Sequence, residues 1–330
     1  MIGGEFEIQA VPRPDGRAPI PGVCASGRAA MYQLLRTLGC CRRVWLPDYL
    51  CPSVSQAVDK AGFCRRYYSL TENLRPDPDT IGASGDDIIL VVNYFGMTDC
   101  RPAIRSLREG FPGVLLIEDD VQAWYAFAAG TEADYAFTSL RKSFAVPDGG
   151  LIRKRNGEAL SLELPTENRF AALKIEGATL KARRSPDTDD RIYLRMLEEA
   201  ERQIDDEYDS AMSEAGQRLW AATDTEDAAR RRRSNALRLA EGLRQIGIEP
   251  LLTPAETEVP LFLPIRTARR DELRRHLFAH EIYCPIHWPS TPGSPYPSGN
   301  LGGQELSLIV DQRYDAADMD FMLNLIDEIL

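Results

Sequence analysis

Lysine is scarce in this chain. Only five of its 39 basic residues are lysines, Lys60, Lys142, Lys154, Lys174 and Lys181. Arginine serves a surface ion pair as well as lysine does, but imine chemistry on a side chain requires a primary amine. A catalytic lysine therefore has five candidates. Long apolar runs are also missing: none approaches the ~20 residues that cross a bilayer, so no membrane association is expected. The opening MIGGEFEIQAVPRPDG has neither a basic nor an apolar segment of the kind a secretory leader carries. The seven cysteines (Cys24, Cys40, Cys41, Cys51, Cys64, Cys100 and Cys284) are odd in number and never fall in CxxC spacing. That argues against a zinc site or a small disulfide framework and for the reducing cytoplasm. Net positive charge is absent too. At −11 the chain lacks the cations that neutralise phosphates, so nucleic acid is not an expected partner. Its one basic cluster, Arg230–Arg233, reads as a solvated helix face.

What remains is ordinary globular material: 330 residues, 44% hydrophobic and 27% charged, enough for one large domain with an appendage or two domains. Between residues 23 and 155 short apolar runs alternate with helical patterns. Arg43–Leu46, Arg65–Leu70, Asp87–Phe95, Val114–Asp119, Tyr135–Leu140 and Gly149–Arg153 read as strands; IILVV and VLLI are apolar throughout, as when both faces of a parallel sheet are covered. Ala29–Leu38, closed by Gly39, Pro52–Ala61 and Pro102–Glu109 read as helices. The fold class is therefore α/β, a mainly parallel sheet sandwiched by helices. A charged, amphipathic helical stretch over 186–246 breaks near Thr223–Thr225. A smaller C-terminal α+β domain follows, built from Val259–Ile265, a helix through Arg270–His280, a Pro-rich stretch from Pro285 to Pro297, the strand ELSLIV and a helix from Asp315. The domains are expected at 1–235 and 236–330. Residues 156–185 carry neither period and read as a loop over a site or a partner-contacting segment.

The chemistry concentrates at two strand ends. Val114–Ile117 delivers Glu118, Asp119, Asp120 and Gln122; a strand later come Ser139, Lys142 and the pair Gly149-Gly150. In an open α/β sheet the carboxyl ends of strands face the ligand crevice. A lysine and a carboxylate that meet there suit pyridoxal phosphate (PLP): the lysine holds the aldehyde as a Schiff base, and the carboxylate keeps the pyridine nitrogen protonated. Gln122 is placed to reach the phenolic oxygen. Upstream, Ser26 reads as the N-cap of a helix, with Gly27 allowing close backbone approach and Arg28 adding a guanidinium; such a helix start binds phosphate. Ser139 offers one more hydroxyl. The same residues have other readings. Ser26-Gly27 is most often an ordinary cap, Asp119-Asp120 suits Mg²⁺, and a lone lysine usually lies on the surface. Their joint occurrence in this order favours the coenzyme. On the substrate side, His287 could overhang a site and Arg313 could pair with a carboxylate, against the alternatives of a structural histidine and a helix-capping ion pair. Trp124 and Tyr125 read as packing.

ASGRAA, LPDYLCPSV, VVNYFG, IEDDVQAW, SLRK and PDGGLI resemble successive motifs of the DegT-type aminotransferases, fold-type I PLP enzymes known for making nucleotide-linked amino sugars. The resemblance covers about residues 22–155 and is weaker over Ala211–Leu219, where that family has a subunit-contact helix, and over the C-terminal helix. It implies Lys142 as the Schiff-base lysine, Asp119 at the pyridine nitrogen, Gln122 near the phenolate, and Gly27, Arg28 and Ser139 at the phosphate. It implies a homodimer with a shared site, an amino-acid donor (glutamate by family habit) and a keto acceptor such as a keto-sugar nucleotide. The chain also departs from the family. Arg28 stands where a small hydroxyl residue is usual, and Asn93, placed to reach the ring or the substrate, replaces a histidine. No Asn-Tyr is recognisable in Asp206–Asp209. The ring-stacking position falls on Tyr49 by chemistry or Cys51 by alignment. The same Lys–Asp pair serves PLP-dependent decarboxylation, dehydration and racemisation, and a non-catalytic descendant is a further alternative.

Overall fold

The computed structural model describes residues 1–13, 20, 22–39, 42–160, 162–164, 166–185, 187–288 and 301–330. Its strands in chain order are β1 (Ile2–Gly3), β2 (Arg43–Pro47), β3 (Cys64–Tyr68), β4 (Ile88–Val92), β5 (Leu115–Asp119), β6 (Tyr135–Ser139), β7 (Gly150–Lys154), β8 (Thr166–Glu167), β9 (Ser210–Ala211), β10 (Phe262–Arg266), β11 (Ile282–Tyr283) and β12 (Glu305–Ile309). The central sheet has the order β3-β2-β4-β5-β6-β7. Its pairs are parallel except β6–β7, which is antiparallel. The six strands expected from the sequence are these six, with ends shifted by a residue or more.

β4 shows why the sheet is buried on both sides. Ile88, Leu90 and Val92 face one apolar cluster, with the helices Gly27–Leu38 and Pro52–Lys60. Ile89 and Val91 face the other, with Ile104 and Leu107 of the helix Arg101–Gly110. Each fully buried aliphatic side chain contributes roughly 1.5–3 kcal/mol of transfer free energy before chain entropy is set against it. Burying both faces in this way pins the strand register and hence the residues that follow each strand end.

The C-terminal part is an antiparallel pair, β10–β12, covered by the helices Arg270–Ala279 and Ala316–Asp327; Asp315 caps the latter in a full capping box. The boundary expected between 235 and 236 falls inside the helix Thr225–Gln245. From that helix Asn235 donates to the carbonyls of Asp311 and Tyr314 at 3.1 and 3.0 Å, tying it to the C-terminal part.

One open stretch is assigned and two expectations are corrected. Residues 170–182, for which the sequence left a loop or a partner-contacting segment open, form the helix Phe170–Ala182. Both of its lysines are buried: Lys174 pairs with Glu5 at 3.1 Å and Glu201 at 2.5 Å, and Lys181 pairs with Glu7 at 2.6 Å. The Arg230–Arg233 cluster is not wholly a solvated face. Arg232 is buried and donates to the carbonyls of Leu261 and Ser143 at 3.1 and 3.0 Å. The stretch 186–246 breaks earlier than expected, into the helices Asp190–Ile204, Glu214–Ala221 and Thr225–Gln245 with β9 between the first two. Residues 289–297 of the Pro-rich stretch, like Cys40 and Cys41, lie outside the described residues. Among the described residues no helix is long and apolar enough to cross a membrane.

Candidate active site

A cavity of about 340 Å³ opens at the carboxyl ends of β4, β5 and β6. One end is the start of the helix Gly27–Leu38, where Ser26 caps by accepting from the Ala29 N–H at 3.1 Å. That helix start is held from behind by β7. Cys24 and Gly150 exchange backbone hydrogen bonds at 2.8 and 2.7 Å. A Cβ on Gly150 would lie 2.1 Å from the Ser26 carbonyl oxygen, so no other residue fits there. At Gly27 an added Cβ would press on Val121 Cγ2 at 3.0 Å and Ser139 Cβ at 3.1 Å. Ser26, Gly27, Arg28 and Ser139 all line the cavity, with the positive helix end aimed into it. Arg28 Nη1 sits 2.6 Å from Asp205 Oδ1, while its Nε has no hydrogen-bond partner among the described residues.

Asp119 and Gln122 line the same cavity. Burial pushes the Asp119 carboxyl up to about 7; the Val121 N–H, donating to Oδ1 at 2.9 Å, opposes that, and the nearby Glu118 reinforces it. A carboxyl raised in this way is relieved by a cation placed against it. The Gln122 side-chain oxygen accepts from the Phe95 N–H at 2.8 Å, which leaves its amide hydrogens to donate elsewhere. Asp120 points the other way, as consecutive strand-end residues do; it accepts from Asn93 Nδ2 at 3.3 Å. The paired-carboxylate arrangement that Mg²⁺ would need is therefore not formed by Asp119 and Asp120. Asn93 goes with Asp120. It is engaged with Asp120 and Thr98 and borders a different recess, so the structure does not bring it to the ring or substrate position.

Lys142 lies in the short helical turn Leu140–Ser143 directly after β6. Its side chain is open to the cavity and makes no hydrogen bond or ion pair among the described residues. Its pKa is lowered, first by the adjacent Arg141 guanidinium and then by burial. Arg141 in turn clasps Glu201, Nη1 to Oε1 at 2.8 Å and Nη2 to Oε2 at 3.1 Å. Glu201 carries a burial penalty that would raise its pKa, yet Arg141, Lys174 and Lys142 hold it below the ordinary carboxylate range. Of the five lysines, this is the one on the cavity wall.

The remaining sequence candidates divide. Tyr49 does not line the cavity: its ring stacks on Tyr94 at 5.7 Å and its hydroxyl donates to the His287 carbonyl. Cys51 lines it instead. His287 and Trp288 also line it. Arg313 lies outside the main cavity, in an adjoining chamber of about 320 Å³ that shares Arg141 and Lys142. Its guanidinium is already committed, to Asp311 at 2.8 Å and Glu7 at 3.1 Å, with Phe6 beneath it at 4.5 Å. An incoming carboxylate would have to displace both acids, so the structure does not present this guanidinium free to the cavity.

Sequence reasoning missed Arg141 and Glu201, which touch or flank Lys142, and Glu305 and Ser307, which lie behind His287. Adjacency to Lys142 was the available signal for Arg141. For Glu305 and Ser307 it was two polar residues at i and i+2 in an otherwise apolar strand.

No protein-family profile matches the sequence, and no curated protein matches it. Solved structures do. A DegT DnrJ EryC1 StrS aminotransferase from Brucella abortus is 17% identical over 93% of this chain and 84% of its own, with a TM-score of 0.63. The fold is that of the DegT-type aminotransferases. The sugar aminotransferase CalS13 from Micromonospora echinospora agrees, at 16% identity over 93% and 87% and a TM-score of 0.63. A Streptococcus pneumoniae protein assigned as a sugar aminotransferase gives 15% identity over 94% and 88%, with a TM-score of 0.65, for its PMP form; its PLP form gives a TM-score of 0.64.

Proposed function

We propose that this chain is a PLP-dependent aminotransferase that moves an amino group from an amino acid, glutamate first, to a keto acceptor of the keto-sugar nucleotide class. One observation carries the reading. On a fold shared with aminotransferases, a lysine amine unpaired among the described residues and a burial-strained carboxyl line one cavity, with a capped helix N-terminus at its end. The residues fit the coenzyme. Ser26, Gly27, Arg28 and Ser139 would hold its phosphate, Asp119 its ring nitrogen and Gln122 its phenolic oxygen; Gly27 leaves room that a Cβ would fill, and Arg28 Nε has no hydrogen-bond partner among the described residues.

When bound, PLP supplies an aldehyde and an electron-withdrawing ring. The protein supplies positioning and protons. Lys142, whose amine Arg141 and burial keep readier to give up its proton than a free lysine, takes the proton from the donor's Cα and later returns one. Asp119 would ionise against a cationic ring nitrogen, which would offset the cost of its burial. Apolar wall residues such as Val92, Phe137 and Leu261 keep bulk water from the exchange.

The acceptor class rests on the neighbours, among them DesI, solved in the presence of its TDP-sugar product, 16% identical with a TM-score of 0.61. The reading includes a homodimer with a shared site, which the family resemblance implies, and the cytoplasm, supported by five free cysteines among the described residues. The test is a panel of amino acids added to the PLP-loaded protein. Loss of the visible coenzyme band with release of pyridoxamine phosphate and the matching keto acid supports transamination; a loaded protein that converts no donor rejects it.

A further inference from the structure

β12 places two polar residues on one face, Glu305 and Ser307, both fully buried, while Leu306 and Leu308 fill the other. Glu305 accepts from the His287 N–H through Oε2 at 2.7 Å and from Ser307 Oγ through Oε1 at 2.5 Å. Ser307 Oγ also lies 2.8 Å from His287 Nδ1. The direction of this chain follows from proton counting. A carboxylate only accepts, and a hydroxyl has one proton to give. With that proton donated to Glu305, Ser307 can meet Nδ1 only as an acceptor. In the neutral ring Nδ1 then carries the hydrogen and Nε2 the lone pair, the reverse of the form an imidazole favours in water.

The ring cannot rotate out of this arrangement at little cost. It is wedged against Phe95, Phe262 and Trp288, with centroids at 5.7, 5.4 and 5.0 Å. Its carbonyl is held by Tyr49 Oη. Nε2 has no partner among the described residues, and His287 forms part of the cavity wall.

We propose that Glu305 and Ser307 are positioning residues that fix His287 as the Nδ1–H tautomer, so that Nε2 faces the cavity as a hydrogen-bond acceptor. This rests on reading the cavity as the coenzyme and substrate site. It deepens that reading by naming what this part of the wall selects. A hydroxyl or ammonium group on the substrate is matched there, whereas a carbonyl or carboxylate oxygen would meet a lone pair.

The test is the imidazole ¹⁵N spectrum of the full-length protein labelled at histidine. The chain has three histidines, so the His287→Gln spectrum assigns the signals of interest. The wild type is expected to show Nδ1 protonated and Nε2 not. In Ser307→Ala and Glu305→Gln the two nitrogens should exchange chemical-shift positions, and Ser307→Thr, which keeps the hydroxyl, should retain the wild-type pattern. A wild-type His287 protonated on Nε2, or a pattern unmoved in Ser307→Ala, overturns the proposal. All variants are also mixed with PLP. A protein that stays colourless while the tautomer exchange occurs removes the coenzyme reading and leaves the His287 relay standing.

Discussion

Arg141 clasps Glu201 through both terminal guanidinium nitrogens, at 2.8 and 3.1 Å, and this fixes a cation beside the amine of Lys142. The pair does two things at once. Glu201 keeps Arg141 in place, and Arg141 disfavours the ammonium form of Lys142. Replacing Arg141 with Met removes the largest cause of the lowered pKa and frees Glu201 to attract the ammonium. The expected outcome is an upward move of the pH midpoint for reaction of Lys142 with pyridoxal, followed by visible absorbance. An unchanged midpoint would show that burial alone sets it.

Asp119 gives a pH signature in the coenzyme-free protein. Its folded-state pKa, about 7, lies above the ordinary value of 3.8. Between those values the unfolded chain has lost a proton that the folded protein keeps, so rising pH destabilises the fold across that window and no further above it. The slope is at most about 1.4 kcal/mol per pH unit. Asp119→Asn lacks this dependence. Its Tm relative to wild type should climb from pH 4 to 7 and then level, as thermal unfolding at several pH values will show. In the loaded enzyme the same variant should turn over about 10²-fold more slowly or worse.

Arg313 tests a structural role against a binding one. Arg313→Met leaves Asp311 and Glu7 without their partner, and the expected cost is about 3 kcal/mol in chemical denaturation. A stable variant with a raised KM for the amino donor would instead restore this arginine as the carboxylate site.

Tyr49 and Cys51 separate by position. Tyr49→Phe loses the hydroxyl's bond to the His287 carbonyl, about 1 kcal/mol of stability, and should leave the dissociation constant of PLP unchanged. Cys51→Ala, on the cavity wall, should change that constant with little effect on stability. Titration of PLP into each variant decides between them.

Much of the site was legible in the sequence because buried parallel strands write themselves as unbroken apolar runs. Ile88–Val92 and Leu115–Ile117 mark the sheet, and Asp119, Gln122, Ser139 and Lys142 follow strand ends that the sheet then brings together. What stayed hidden depends on contacts between distant parts of the chain. The helix Phe170–Ala182 shows no amphipathic stripe, since Lys174 and Lys181 are buried against acids from the N-terminal segment and Glu201. Arg232 looked like its solvated neighbours until its carbonyl partners were in place. Glu305 and Ser307 read as ordinary strand residues because their meaning lies in His287, across the C-terminal part. For Arg313 a carboxylate site and an ion pair both stood open, and its partner Glu7, 306 positions away, could not be seen from the sequence.

The central claim is that Lys142 is the one lysine of five that binds the coenzyme. Wild-type protein and Lys142→Ala are mixed with PLP, reduced with borohydride, digested and mapped by mass spectrometry. The account predicts a visible absorption band in the wild type, a phosphopyridoxyl group on Lys142 at near-stoichiometric yield, and loss of both in Lys142→Ala. A colourless wild type, or label spread equally over Lys60, Lys154 and the buried lysines, would contradict it.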